Sequence, residues 1–121
     1  MPSPTTSSLA ALRTQRHTQW LRELRLSLQE LVEPSLERPD QIYLFGSRAR
    51  GDWDGLSDTD LLVVAANKHL ADTWVDQLLD SGLAEDVIGL DRVAWDQLPK
   101  SASVVWRNAA KVAIPLLAEK P

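Results

Sequence analysis

The chain contains no cysteine. That excludes a disulfide framework and every thiolate metal site, and leaves carboxylates or histidine as metal ligands. Histidine is itself scarce: His17 and His69 stand alone and far apart in sequence, so no zinc site is expected. No apolar run reaches the roughly 18 residues that a membrane-spanning helix requires. Met1 to Ser8 lacks the basic and apolar segments of a signal peptide. A soluble, cytoplasmic protein is the expectation. A surplus of basic residues is missing too, since the formal net charge is −4. Gripping nucleic acid through a broad basic face takes many Lys and Arg against phosphates, so that mode of action is not expected.

What is present suits one folded unit. The 121 residues are 44% hydrophobic and 25% charged, close to ordinary globular averages, so a core can form without special staples. Residues 1–8 are rich in Pro, Ser and Thr and read as a flexible lead-in, with Ser7 or Ser8 available as a helix cap. Residues 9–121 are expected to form a single domain, with an N-terminal helix over about 9–33 and the rest of the fold over about 40–121. In that helix Leu21, Leu24, Leu28 and Leu31 recur at helical spacing and predict one apolar face that must pack on a core.

Pro34 and Pro39 end the helix, and Gln41–Phe45 follows as a short apolar strand. Gly46 and Ser47 break it. The polar stretch from Arg48 to Ser57 reads as a loop with room for one helical turn. A second strand begins at Asp58, where period-2 geometry sets Asp58 and Asp60 on the face of Leu62 and Val64. Residues 69–81 repeat apolar positions at helical spacing and end at Gly82, a natural C-terminal cap. Asp86–Leu90 reads as another strand, about 101–110 as another helix, and Val112–Leu116 as extended chain, with Pro115 suited to an edge strand. Strands interleaved with helices make the fold class α/β (α+β), a mixed sheet backed by helices.

Chemistry concentrates between the first two strands. Gly46-Ser47, ten intervening residues and then Asp58-Thr59-Asp60 place a turn-forming glycine at one end of a loop and two carboxylates at the other. Gly46 permits a turn with no side chain in the way, and Ser47 stands at a nascent helix N-terminus, where N–H groups and the helix dipole favour phosphate. Asp58 and Asp60 supply hard oxygen ligands of the kind Mg²⁺ takes when shared with substrate phosphates. Two converging carboxylates imply a bound cation or a neighbouring arginine, and Arg48 and Arg50 lie in the same loop. Asp52 and Asp54 read as turn residues. Among the five tryptophans, Trp53 in the loop is the one placed to stack on a nucleotide base; Trp20, Trp74, Trp95 and Trp106 read as packing residues.

The run Leu44-Phe45-Gly46-Ser47-Arg48-Ala49-Arg50-Gly51 through Ser57-Asp58-Thr59-Asp60-Leu61-Leu62-Val63 resembles the signature of the DNA polymerase beta-like nucleotidyltransferase superfamily, in its minimal, kanamycin-nucleotidyltransferase-like branch. The resemblance implies the nucleotidyltransferase fold, two Mg²⁺ ions on three acids, and transfer of a nucleoside monophosphate from ATP or another triphosphate to an acceptor hydroxyl. It assigns Asp58 and Asp60 as metal ligands and Gly46, Ser47 and Arg48 as nucleotide-binding residues. The third acid of such proteins opens a later strand, a position that Asp86 matches, with Asp91 as the fallback. Asp86 would act as the base or hold the metal that activates the acceptor; Glu85 beside it makes the register matter. The minimal branch is often paired with a small helical toxin of the HEPN type, which it neutralises by modifying a tyrosine hydroxyl. An antitoxin that adenylylates a protein partner is therefore expected. The competing expectation is a catalytically silent module of the same fold that acts by contact, and a third is a subunit modifying a small-molecule antibiotic, which would need a deep acceptor pocket beside the acids.

Overall fold

The computed structural model describes residues 6–50 and 58–118. Helix α1 (Thr6–Val32) spans 27 residues, roughly 40 Å at the usual rise. It starts before Leu9, so Ser7 and Ser8 are helical residues and not caps. Its two halves differ. Leu24, Leu28 and Val32, one turn apart, are buried, with Trp20, Leu21 and Leu31 packed beside them. The first turns carry Leu9 and Leu12 at 58% and 51% exposure and extend past the core.

Four strands form one mixed sheet in the order β3-β2-β1-β4. Strand β1 (Gln41–Phe45) runs antiparallel to β2 (Asp60–Ala65) and to the short β4 (Ile114–Pro115), while β2 and β3 (Asp86–Asp91) are parallel. A parallel pair needs a crossover, and α3 (Lys68–Ser81) supplies it. Asn67 caps α3 by accepting from the Leu70 N–H at 2.8 Å, and Gly82 ends it in the left-handed region, φ 76°. Ile42, Leu44, Leu61, Val63 and Val87 turn to one side of the sheet and meet Leu24 and Leu28 of α1 and Trp74 and Leu78 of α3, which is the main core. The Trp74 indole N–H donates to the Glu37 carbonyl at 3.0 Å, so the large ring is buried without an orphaned donor.

The last quarter of the chain departs from the sequence reading. Asp91 closes β3 and also caps the next helix, its carboxylate accepting from the Ala94 N–H at 2.8 Å. The helix so begun, α4 (Arg92–Gln97), runs into a 3₁₀ turn at Leu98–Lys100. Six residues are too few to display a helical period, which is why the sequence did not announce it. Helix α5 (Val104–Val112) begins later than expected because Ser103 caps it through the Trp106 N–H. Only Ile114 and Pro115 of the expected extended segment pair as a strand, and Pro115 lies on the sheet edge opposite Tyr43, where a missing N–H is tolerated. Arg92 pairs with Asp40, tying α4 to the segment before β1; the partnership raises the Arg92 pKa above its ordinary value. Among the described residues no helix is long and apolar enough to cross a membrane.

Candidate active site

The register of the sheet sets the acids. Asp60, the first residue of β2, pairs with Phe45 on one side and with Asp86, the first residue of β3, on the other. Phe45, Asp60 and Asp86 therefore form one row across three strands and share one face. The next rows on that face are Tyr43–Leu62–Ile88 and Gln41–Val64–Leu90. Apart from Gln41 those rows are apolar, and Trp95 of α4 stacks on Tyr43 with ring centroids 4.3 Å apart, while Trp106 of α5 lies 6.4 Å from Phe45 in the acid row itself. The acid row marks the edge of this cover, with Asp60 half-buried and Asp86 exposed. Asp58 lies before β2 begins, exposed, so the alternation that places Asp60 with Leu62 and Val64 does not extend to it.

Thr59 and Glu85, which the sequence did not single out for this purpose, fix the register just ahead of the acids. The Thr59 N–H donates to a Glu85 carboxylate oxygen at 2.6 Å, and the Thr59 carbonyl accepts from the N–H groups of Glu85 and Asp86 at 3.1 and 3.4 Å. Glu85 is thus engaged by backbone, while Asp86 keeps the row position beside Asp60. Asp91 is at the other end of β3, opposite Ala65, occupied as the cap of α4. The neighbouring Glu85-Asp86 pair was the available signal, but which of the two meets Asp60 depends on pairing between distant segments.

The turn after β1 is pressed against the same row. Gly46 has φ 75°, and a Cβ added there would collide with Oδ2 of Asp60. Only a residue without a side chain lets the turn and the carboxylate approach so closely. Ser47 opens the one-turn helix α2 (Ser47–Arg50); the side chains of Ser47 and Arg50, and all of Asp52, Trp53 and Asp54, lie outside the described residues. The Arg48 guanidinium lies over the Trp20 ring, 4.5 Å from its centroid. His17, one turn earlier on α1, stacks on the same tryptophan at 5.6 Å. Burial, with Arg48 close by, holds the His17 imidazole below its ordinary pKa.

Among the described residues no three acidic or histidine side chains stand close enough to form a ready-made metal cage. The donors that are present, carboxylates of Asp60 and Asp86 abreast with Asp58 upstream, suit Mg²⁺ all the same. That ion keeps much of its water and is held by one or two protein carboxylates together with substrate phosphates. Among the described residues an open cavity of about 1230 Å³ lies elsewhere, at the far end of the strands beside Asp40, Gln41, Val64 and Trp95.

No curated protein sequence matches the chain. Among solved structures, a proposed nucleotidyltransferase from Sulfolobus solfataricus, determined at 1.40 Å, superposes with a TM-score of 0.52 and 22% identity, covering 85% of this chain and 84% of that one. The likeness shows a shared fold. The sequence itself matches the nucleotidyltransferase domain family over residues 21–114, a span that takes in the half of α1 packed on the core, the glycine–serine turn and the acid row. That span is most of the chain, which therefore belongs to the nucleotidyltransferase domain family.

Proposed function

We propose that this protein transfers a nucleoside monophosphate, AMP from ATP, to a hydroxyl group of a small helical protein of the HEPN type, and so acts in the cytoplasm as the antitoxin of a toxin–antitoxin pair. The observation that carries the catalytic part is the pairing of Asp60 with Asp86 on neighbouring parallel strands, with Gly46 against the Asp60 carboxylate. The protein acceptor rests on the resemblance of the Gly46–Asp60 motif to minimal nucleotidyltransferases.

In this reading Asp58, Asp60 and Asp86 are the metal ligands, and Gly46, Ser47 and Arg48 receive the triphosphate. Divalent metal, when bound, neutralises charge on the phosphate oxygens and lowers the pKa of an attacking hydroxyl. The acceptor oxygen bonds to the α-phosphorus, the bond from that phosphorus to the bridging oxygen breaks, and pyrophosphate leaves. Asp86, the more exposed acid of the row, receives the hydroxyl proton. Little covalent help is needed; in-line placement and charge neutralisation carry most of such a reaction.

The test is incubation of the protein with each labelled triphosphate, Mg²⁺ and a co-expressed helical partner, comparing wild type with Asp58→Ala plus Asp60→Ala. Label on the partner only with the acids intact supports the reading. A second reading, a silent module that acts by contact, is favoured by the projecting turns of α1 with Leu9 and Leu12 exposed. Tight binding of the partner without label from any triphosphate would leave that second reading in place of the first.

A further inference from the structure

Arg48 and Trp20 come from segments far apart in sequence, and neither is free to choose the other casually. Trp20 packs against the main core, and so does Ala49, the residue after Arg48. His17 stacks on the Trp20 ring from the preceding turn of α1. Two residues before Arg48, Gly46 is closed in by the Asp60 carboxylate. The glycine–serine turn is thus seated between two fixed walls, the acid row and the α1 tryptophan, and the guanidinium rests on the second.

An aromatic face attracts the charge of a guanidinium without consuming its N–H donors, which lie in the guanidinium plane. A long arginine side chain has much rotamer freedom to lose on binding a phosphate, and a preset position removes part of that loss before the ligand arrives. We infer that Trp20 is a positioning residue of the nucleotide site: its ring holds the Arg48 guanidinium just after the glycine–serine turn, ready for the triphosphate. The inference rests on the nucleotidyl-transfer reading above and extends its site to α1, which lies outside the motif.

The experiment uses the full chain and two readouts: binding of ATP with Mg²⁺ by calorimetry, and the Arg48 Nε–H resonance by NMR. In wild type that resonance is displaced by the ring current of Trp20, and in Trp20→Leu it returns to the range of ordinary arginines. Trp20→Leu weakens ATP binding about three- to tenfold, while Trp20→Phe, which keeps an aromatic face, stays within about twofold of wild type. Arg48→Gln weakens it at least as much as Trp20→Leu, and the double variant binds no worse than Arg48→Gln alone, because Trp20 acts through Arg48. Should Trp20→Leu fold poorly, a ring-fluorinated tryptophan at position 20 keeps the shape, weakens the attraction of the face for a cation, and is expected to lower affinity in the same direction.

Additive losses in the double variant, or full affinity in Trp20→Leu or in the fluorinated protein while Arg48→Gln loses it, would overturn the inference and leave the nucleotidyl-transfer reading standing. Failure of wild type to bind any triphosphate would overturn both.

Discussion

Leu61 and Val63, with Ile42 and Leu44 beside them, face α1 and α3 and are wholly buried, whereas Phe45, Asp60 and Asp86, on the opposite face of the same strands, are half-buried or exposed. Neighbouring residues in one strand thus serve different purposes. The closed face removes apolar surface from water and supplies much of the drive to fold. The other face carries Tyr43, Leu62 and Ile88 beneath Trp95 and then, in a single row at the sheet's end, Phe45 and the two carboxylates. Since side chains alternate along a strand, substitutions can address the core and the acids separately although the residues are adjacent.

Three substitutions test how separate the two faces are. Asp60→Asn is expected to reduce nucleotidyl transfer by about 10²–10³-fold while leaving the thermal melt close to wild type; a large fall in melting temperature would show that the acid row also holds the fold. Leu61→Ala, one residue on, should do the reverse. Removing a fully buried leucine costs about 2–5 kcal/mol in urea unfolding, and the transfer rate per folded molecule should be retained. Gly46→Ala is where the separation should fail. The positive φ costs a non-glycine residue about 1–2 kcal/mol, and the new Cβ displaces the Asp60 carboxylate. A rate loss of about 10- to 100-fold is expected, and a variant with wild-type rates would break the link between the turn and the acid.

The smallest effect is expected at His17. Its pKa is lowered in the folded protein, first by burial and then by Arg48, so the folded state takes up a proton less readily than the unfolded chain. The associated stability is present above the unfolded value of about 6.5 and is lost as pH falls through the lower folded value. Melting curves between about pH 8 and about pH 5 should show wild type losing more stability on acidification than His17→Gln. Equal losses would remove His17 from the account.

Much of the fold was legible in the sequence, for reasons tied to particular residues. Leu21, Leu24, Leu28 and Leu31 marked the packed side of α1, Pro34 and Pro39 its end, and Gly82 the end of α3. The elements that escaped notice were the short ones. Helix α4 depends on Asp91 as a cap, a residue whose other reading was a fallback metal ligand. For the site, a local motif reaches Gly46, Ser47, Asp58 and Asp60, whose spacing carries chemical meaning without a fold; it did not show that Asp58 lies ahead of β2, off the alternation that sets Asp60 with Leu62 and Val64. Loop residues Asp52, Trp53 and Asp54 lie outside the described residues, so the stacking expectation for Trp53 stands as it was.

The sequence by itself determined the alternation of apolar and polar residues in the strands, the C-terminal ends of α1 and α3 and the glycine that the turn requires, because each depends on torsion angles and neighbours a few residues away. Only the tertiary structure decided which acid stands beside Asp60, that Glu85 is bound by the Thr59 backbone, and that Trp20 meets Arg48. Those contacts join segments separated by tens of residues, and they follow from strand register and from the seating of α1 on the core, which no local pattern encodes.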